Sequence, residues 1–296
     1  MSVFVGVDGG GTRTRAVVID AEGRELARAE DEGAVVTAHR PDDAVEAVRR
    51  AVGAALEKSG GRRQAEVLWA GLAGAGTAAP RAAVTRALRG LDLAERLIVG
   101  TDVEAAFYSA FAGGPGLLVI VGTGSIVWAR NEDGAERRVG GWGRTLGDEG
   151  SGYWIGLEGL RRLTRSADGR AEPTTMEGPL LQACGIHAVD EAVGWVETAT
   201  KSQIASLAPH VVACADEGDD AATSVVAEAV EHLEVMVRTA GEVGGDVVLW
   251  GGLVAPGGPL RGRVSEAVGS LGLRVVAEEV DPPLGAARLA RAARGG

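Results

Sequence analysis

Hydrophobic and polar residues alternate along the first part of the chain in a way that predicts strands rather than helices. The apolar segment SVFVGVD, residues 2–8, runs into three glycines, and the segment after them, 13–30, alternates again around a turn at Ala21-Glu22-Gly23. We therefore expect the glycine-rich turn to join two strands of a hairpin, with a third strand following.

Helical and strand periods then alternate. Residues 65–74 and 96–102 have the pattern of strands, and helical segments are predicted at 79–90 and 103–113. An earlier helix, begun by Pro41 and Asp42, has one apolar face formed by Ala44, Val45, Val48, Val52, Ala55 and Leu56. This alternation is typical of an α/β protein.

From residue 116 the opening pattern occurs a second time. Residues 116–141 predict a strand, a Gly-Thr-Gly-Ser loop, a strand, a turn at Asp133-Gly134 and a third strand, which indicates an internal duplication. The remaining segments are predicted as a helical stretch from about 150 to 241, a strand at 246–252, a helix at 258–272, a strand at 273–279 and a closing helix at 283–296. The densest glycine–proline cluster, 112–116, predicts lobes of residues 1–112 and 113–296.

Composition narrows the class of protein. The hydrophobic share of 46% and charged share of 24% are typical of globular proteins, and the net charge of −11 argues against nucleic acid or an anionic membrane as the main partner. No apolar run approaches the roughly 20 residues that span a bilayer, and the N-terminus lacks the basic segment of a signal peptide, so we expect a cytoplasmic protein.

Cys184 and Cys214 have no metal-site spacing and are expected to be buried thiols. Lys58 and Lys201 are the chain's two lysines beside many arginines, which we attribute to coding bias.

Two glycine-rich loops are the candidates for a ligand site. The first, DGGGTRT at 8–14, lacks the lysine of a P-loop and the third glycine of a dinucleotide loop, and a strand follows it where both of those loops open a helix. A glycine turn in a hairpin can still direct N–H groups at phosphate oxygens, and a plain turn is the alternative. A second loop, VGTGS at 121–125, favours phosphate binding, because two loops can hold one polyphosphate from both sides. The candidate residues are Gly9, Gly10, Gly11, Thr12, Thr123 and Gly124.

The order of the motifs resembles the fold shared by acetate and sugar kinases, heat-shock cognate proteins and actin. In that resemblance VGVDGGGTRT and VIVGTGS are the two phosphate motifs and VVLWGGLV is the adenosine motif. The segment GGWGRTLGDEGSGYWIG, residues 140–156, is similar to the N-acetylglucosamine kinase branch of the BadF/BadG/BcrA/BcrD ATPase family, and ACADEGDDAA resembles a helical segment of that family near the nucleotide. The resemblance covers essentially the whole chain. It implies an α/β fold of two actin-like, ribonuclease H-like lobes with mixed central sheets, flanking helices and an interlobe cleft.

The resemblance also implies the reaction and its residues. It implies transfer of a phosphoryl group from ATP to the 6-hydroxyl of an amino sugar, with Asp102 as the catalytic base; capping of the following helix is the other role open to Asp102. Asp8 ends the first strand beside the phosphate loop, where it suits Mg²⁺ bound through water, or else caps a turn. The implied adenosine contacts are Ala215, Gly251 and Gly252, and the implied sugar contacts are Gly141, Trp142, Gly143 and Asp148.

Two positions depart from the family pattern, and both concern the sugar. The family kinases usually carry an asparagine after the third strand, where this chain has Thr37-Ala38-His39, and Ile126 replaces a second frequent asparagine. His39 is either a sugar contact or an exposed loop residue. We therefore expect N-acetylglucosamine first as the substrate, then glucosamine or another hexose.

Rival classes predict different features. Some family members are ATPases that activate 2-hydroxyacyl-CoA dehydratase-type enzymes through an iron–sulfur cluster held between subunits, which requires cysteines that do not follow either loop here. A sugar-sensing regulator would be expected to carry a DNA-binding extension, and ROK-type sugar kinases typically carry a cysteine-rich zinc motif. The partners we expect are a sugar and ATP, with neither nucleic acid nor membrane; whether the chain forms a homodimer stays open.

Overall fold

The computed structural model describes residues 2–11, 13–33, 35–36, 42–240 and 245–295. The predictions for Thr12, Thr37, His39 and Pro41 fall outside these residues. The chain divides into two compact units: unit 1 comprises Met1–Gly113 and Glu278–Gly296, and unit 2 comprises Gly114–Ala277.

Helices and strands alternate along most of the chain. The strands are β1 (Val3–Gly9), β2 (Arg13–Asp20), β3 (Glu25–Glu32), β4 (Ala65–Leu72), β5 (Ala94–Gly100), β6 (Gly116–Val121), β7 (Ser125–Arg130), β8 (Glu136–Gly140), β9 (Asp246–Trp250) and β10 (Arg274–Val276). The helices are α1 (Asp42–Lys58), α2 (Ala78–Arg89), α3 (Asp102–Phe111), α4 (Gly152–Ala167), α5 (Glu177–Cys184), α6 (Ala192–Thr198), α7 (Lys201–Ala205), α8 (Ala208–Asp216), α9 (Asp220–Ala240), α10 (Arg261–Ser270) and α11 (Pro282–Ala292). Short 3₁₀ helices occupy Val189–Glu191 and Ala293–Gly295.

Unit 1 is built on a mixed sheet in the order β3-β2-β1-β4-β5. Strand β1 pairs antiparallel with β2 and parallel with β4, so the glycine-rich turn joins two hairpin strands as the hydrophobic pattern predicts. The alternation of β1 sends Val5 and Val7 into a core shared with α1, while Phe4 packs with residues of α11 on the opposite face. Gly6 and Asp8 share the face of Phe4, because side chains alternate along a strand.

Helix α11 returns the end of the chain to unit 1, whereas the sequence assigned residues 278–296 to the second lobe. Glycines permit the close approach. A Cβ atom on Gly6 would lie 1.9 Å from the backbone nitrogen of Ala287, and a Cβ on Gly285 would lie 2.2 Å from the carbonyl oxygen of Ala105 in α3. Backbone can pack this closely only where no side chain intervenes. No break in composition marks the return, so the pattern alone could not place it.

Unit 2 repeats the arrangement with a sheet in the order β10-β9-β6-β7-β8. Strand β6 pairs antiparallel with β7 and parallel with β9, as β1 does with β2 and β4. The duplication predicted from the sequence is thus present as a repeated strand order. The last strand is shorter than the predicted 273–279, because it pairs only through Arg274–Val276. Helices α4 to α9 form the predicted helical stretch, and α4, α8 and α9 contribute to the core of unit 2. No helix among the residues described is both long enough and apolar enough to cross a bilayer.

Candidate functional site

The first glycine-rich loop is a tight hairpin turn. The Gly10 N–H donates to the carbonyl oxygen of Arg13 at 2.9 Å, and the Ala73 N–H donates to that of Gly9 at 2.8 Å. A Cβ atom on Gly9 would lie 2.6 Å from Leu72 Cδ2, and one on Gly11 would lie 3.1 Å from Val35 Cγ2. A side chain at either position would therefore have to displace the side chain of Leu72 or Val35. Phosphate binding by this turn stays a prediction, and Thr12 lies outside the described residues.

Asp8 is a buried carboxylate held by a cross-strand arginine. Asp8 and Arg15 are register partners on β1 and β2, and Arg15 Nη2 donates to Asp8 Oδ2 at 2.7 Å. Burial raises the pKa of Asp8, the hydrogen bond and charge of Arg15 oppose that rise, and the charge of Asp281 adds to it. Arg15 was not predicted from the sequence as a site residue, although opposite charges facing each other across a hairpin are a recognisable pattern.

Asp102 follows β5 and occupies the first residue of α3. The cap of this helix is Thr101: its side chain accepts from the Glu104 N–H at 3.2 Å, and the Thr101 N–H donates to Glu104 Oε2 at 2.5 Å. This capping box satisfies the helix terminus without Asp102 as the cap. The T-x-x-E spacing of this capping box is visible in the sequence. It indicates Thr101 as the helix cap and so disfavours the capping role for Asp102.

The environment of Asp102 changes its acidity. Burial, followed by the negative charge of Asp8, raises the pKa of Asp102 to about 6, against the opposing effect of the Val103 N–H. A carboxylate with a pKa near 6 is mostly ionised at neutral pH and still basic enough to accept a proton from a reacting hydroxyl. Unit 1 therefore brings together the first glycine turn, Asp8 and a carboxylate with the acidity of a general base.

The second glycine-rich loop connects β6 to β7. The Gly122 N–H donates to the carbonyl oxygen of Gly124 at 2.9 Å, and the carbonyl oxygen of Gly122 accepts from the Gly152 N–H at 2.8 Å. Thr123 is exposed at the tip of the turn. The adenosine motif is adjacent: a Cβ on Gly122 would lie 4.0 Å from Gly252 N, and one on Gly251 would lie 2.5 Å from the Val121 carbonyl oxygen.

Asp148 and Lys201 form an ion pair against this loop. Asp148 is 3% exposed, and its φ of +64° is uncommon for a residue with a side chain. Its Oδ1 accepts from the Ser125 N–H at 3.3 Å, and its Oδ2 lies 2.7 Å from Lys201 Nζ. Oδ2 nevertheless accepts no hydrogen bond from the described residues, so its contact with Lys201 is an ion pair without hydrogen-bond geometry, and this oxygen keeps its capacity to accept from a ligand. Lys201 was not predicted from the sequence as a site residue, and its one signal there was that lysine is rare in this chain.

The segment predicted to contact the sugar continues from β8. The Gly141 N–H donates to the carbonyl oxygen of Ser125 at 3.1 Å, and Gly141 and Gly143 have φ of +70° and +81°. A Cβ on Gly141 would lie 2.6 Å from Ile126 Cδ1, so the isoleucine noted in the sequence packs directly against this segment. Trp142 is 65% exposed, and the guanidinium of Arg138 lies 4.6 Å from its ring centroid. An indole this exposed has apolar surface free for a ligand.

A groove of about 520 Å³ lies along α9 and α10 in unit 2. Ala215, the predicted nucleotide contact of α8, lines it together with Thr223 and Arg263. Arg263 Nη2 lies 2.6 Å from Asp216 Oδ1 at the same groove. Gly251 and Gly252 stand beside the second glycine-rich loop rather than among the residues that line this groove.

Metal-ligand clusters are not a feature of the described part of the chain, in which no three His, Cys, Asp or Glu side chains are grouped to hold an ion. Asp8 and Asp102 are hard oxygen donors, and a divalent cation would relieve their mutual repulsion. Mg²⁺ suits such a pair, since it binds through one or two carboxylates together with waters and substrate phosphates.

Comparison with known proteins places these features in a family. The chain is 28% identical over 246 residues to the N-acetylmuramic acid/N-acetylglucosamine kinase of Clostridium acetobutylicum, covering 82% of this chain and 80% of the relative. It is 27% identical over 251 residues to the N-acetyl-D-glucosamine kinase of Dictyostelium discoideum, covering 80% and 78%. The crystal structure of a candidate N-acetylglucosamine kinase from Chromobacterium violaceum superimposes with a TM-score of 0.82 at 28% identity, covering 98% of this chain and 99% of that one, which confirms the predicted α/β fold. A sequence model of the BadF/BadG/BcrA/BcrD ATPase family matches residues 5–290, and the chain belongs to that family.

Proposed function

We propose that the protein is an ATP-dependent kinase that phosphorylates the 6-hydroxyl of an amino sugar, with N-acetylglucosamine as the preferred substrate. The observation that carries the proposal is the state of Asp102: Thr101 caps α3 in its place, and burial together with Asp8 raises the pKa of Asp102 to about 6. Such a carboxylate has the acidity expected of a general base at neutral pH. The names of the related kinases support the sugar class.

In this proposal Asp102 accepts the proton of the sugar 6-hydroxyl as that oxygen attacks the terminal phosphorus of ATP. The phosphoryl group moves to the sugar oxygen, the bond to the bridging oxygen breaks, and ADP leaves with the electron pair of that bond. The protein forms no covalent bond in this reaction, so its contribution is positioning and electrostatic stabilisation.

The nucleotide is assigned to the glycine-rich loops and the adenosine motif. Backbone N–H groups of Gly9, Gly10 and Gly11 and of the loop around Gly124 are proposed to bind phosphate oxygens, because successive N–H groups form anion sites. We assign further contacts to Thr12 and Thr123, and adenosine contacts to Ala215, Gly251 and Gly252. Asp8 would hold Mg²⁺ through Oδ1 or a bound water, and the ion would supply charge neutralisation of the phosphates.

The sugar is assigned to Asp102 in unit 1 and to the segment 141–148 in unit 2. Trp142 offers an exposed indole, and Gly141 and Gly143 give the segment its left-handed turns. Asp148 is proposed to contact a sugar hydroxyl, and His39 is proposed as a further sugar contact. We place the reaction in the cytoplasm, where ATP is available; a homodimer is not required by this scheme.

The proposal is tested by coupled measurement of ADP release with N-acetylglucosamine, glucosamine, glucose, mannose and N-acetylmuramic acid. We expect the highest kcat/KM with N-acetylglucosamine and a kcat reduced about 10²–10⁴-fold in Asp102→Asn, with a smaller effect on sugar affinity. Asp92→Asn is the matched control, because Asp92 is an exposed carboxylate of unit 1. ADP release that is independent of every sugar in the panel, or full turnover in Asp102→Asn, would refute the proposal.

The cysteines bear on the dehydratase-activator alternative. Cys184 and Cys214 are both buried within unit 2, and burial raises the pKa of both thiols. Iron–sulfur clusters are held by thiolates. Thiols that are buried and disfavoured as thiolates fit the kinase better than the activator.

A further inference from the structure

Lys201 stands at the second glycine-rich loop although it is distant from that loop in sequence. A Cβ atom on Gly124 would lie 3.0 Å from Lys201 Nζ and 2.6 Å from Asp148 Oδ1. The ion pair therefore occupies the space that a side chain at residue 124 would fill. Residue 124 must be glycine for the lysine to reach the loop, since any side chain would displace the ion pair.

The ammonium of Lys201 has donors to offer to a ligand. A lysine ammonium has three N–H donors, and although Nζ lies 2.7 Å from Asp148 Oδ2, that oxygen accepts no hydrogen bond from the described residues. The side chain of Lys201 is 33% exposed while that of Asp148 is 4% exposed, so the lysine is the member of the pair that a ligand can reach. Asp148 is in turn tied to the loop through the Ser125 N–H. Asp148 thus fixes the ammonium beside the loop.

The choice of lysine is itself informative. The chain has 30 basic residues, and Lys58 and Lys201 are its two lysines, so arginine is the usual cation of this sequence. A compact ammonium on a flexible stem fits above the Gly124 backbone, where a planar guanidinium is broader. Lysine also binds phosphates as a point charge, as the P-loop lysine does.

We propose that Lys201 is the phosphate-binding cation of the second glycine-rich loop and contacts ATP beyond the α-phosphate. This inference rests on the proposed function in that it takes ATP as the ligand of the loop. The loop carries no lysine of its own, and α7 supplies one from elsewhere in the chain. Lys201 is then a ligand-binding residue, with Asp148 as its positioning residue.

The test compares nucleotide affinities by isothermal titration calorimetry in the absence of sugar. In Lys201→Met we expect the Kd for ATP to rise about 10- to 100-fold, the usual effect of losing a charged hydrogen bond, and the Kd for AMP to change less than about twofold. Lys58→Met is the matched control, because Lys58 is an exposed lysine at the end of α1 whose Nζ donates to the carbonyl oxygen of Arg28. Lys58→Met should leave both affinities unchanged.

Lys201→Met leaves the charge of Asp148 buried without its partner, which could unfold unit 2 and lower ATP affinity for that reason alone. A second variant is therefore needed in which no unpaired charge is buried. The double variant Asp148→Asn/Lys201→Met removes both charges together, and its melting temperature shows whether unit 2 is folded. We expect the folded double variant to show the same selective loss of ATP affinity. Wild-type ATP affinity in either variant, or an equal loss of AMP affinity, would overturn the assignment. A higher KM for the sugar with unchanged ATP affinity would also overturn it, since Lys201 would then only position Asp148.

The outcome separates this inference from the kinase proposal. Wild-type protein that binds ATP through Lys201 and phosphorylates no sugar would refute the kinase proposal and support this one. Sugar phosphorylation by the wild type together with unchanged ATP affinity in Lys201→Met would support the kinase proposal and refute the assignment of Lys201.

Discussion

Asp8 and Asp102 stand at the carboxyl ends of β1 and β5, close enough for the charge of Asp8 to raise the pKa of Asp102. Gly71 of β4 pairs in register with Asp8 on one side and, on the other, with Gly100, which ends β5 two residues before Asp102. A Cβ on Gly71 would lie 3.0 Å from the carbonyl oxygen of Thr101. The glycine lets the start of α3 approach the sheet, which places Asp102 near Asp8.

The effect of Asp8 on the pKa of Asp102 should be visible in the pH dependence of catalysis. Asp102 must be ionised to act as a base, so we expect kcat/KM for the sugar to fall as the pH decreases through about 6, with a slope of one proton. Asp8→Asn removes the charge that raises the pKa of Asp102, and the acidic limb should therefore move to lower pH in that variant. The measurement is kcat/KM between pH 4.5 and 8 for both proteins, since this parameter reports the free enzyme. A flat profile, or a limb that Asp8→Asn moves to higher pH, would contradict the assignment.

Asp102 should also reduce the stability of the protein above its pKa. A carboxyl whose pKa is raised on folding from 3.8 to about 6 binds protons more tightly in the folded state, so its unfavourable contribution grows as the pH rises between those values. We expect Asp102→Asn to increase the free energy of unfolding by about 1–3 kcal/mol at pH 8 and by much less at pH 4. Urea denaturation at the two pH values provides the measurement.

The control for stability is again Asp92→Asn. Asp92 is exposed and has a left-handed φ of +55°, a conformation that asparagine also tolerates. Its substitution should leave the free energy of unfolding unchanged at both pH values. An equal gain in the two variants would mean that the effect is one of overall charge rather than of burial.

Gly124→Ala should damage the second glycine-rich loop. The added Cβ would meet Asp148 Oδ1 at 2.6 Å, and Asp148 is buried and held by its hydrogen bond to Ser125, so it has little room to move. We expect a loss of about 1–3 kcal/mol in stability and a higher KM for ATP. Gly269→Ala is the control: Gly269 is exposed in α10 with no atom near its Cβ position, so alanine should be neutral or stabilise by up to about 1 kcal/mol. Wild-type stability and KM in Gly124→Ala would show that the loop can relax around the side chain.

Trp142→Ala should weaken sugar binding with little effect on ATP. The exposed indole offers apolar surface to a sugar ring, and its removal should raise the sugar KM about 5- to 30-fold, the equivalent of about 1–2 kcal/mol. Val193→Ala removes another exposed apolar side chain of unit 2 and should leave the KM unchanged. Quenching of tryptophan fluorescence by the sugar, present in the wild type and lost in Trp142→Ala, would provide an independent measurement. An unchanged KM would remove Trp142 from the sugar site.

The hydrophobic pattern alone determined most of the secondary structure and its duplication. Strand alternation in residues 3–32 and again in 116–140 is a local property, because inward and outward positions repeat every two residues. The glycine-rich turns could be recognised for a related reason. A strand is predicted on each side of them, whereas P-loops and dinucleotide-binding loops are followed by a helix. The T-x-x-E capping box at Thr101 was equally available in the sequence.

Tertiary structure decided what depends on contacts between distant residues. The return of α11 to unit 1, the ion pair of Lys201 with Asp148, and the raised pKa of Asp102 each join segments that no local pattern connects. Burial and Coulomb interactions depend on separation in space, and the sequence states only separation along the chain. The chain alone therefore identified Asp8, Asp102 and Asp148 as candidates, and only the fold gave Asp148 its partner Lys201 and Asp102 its acidity.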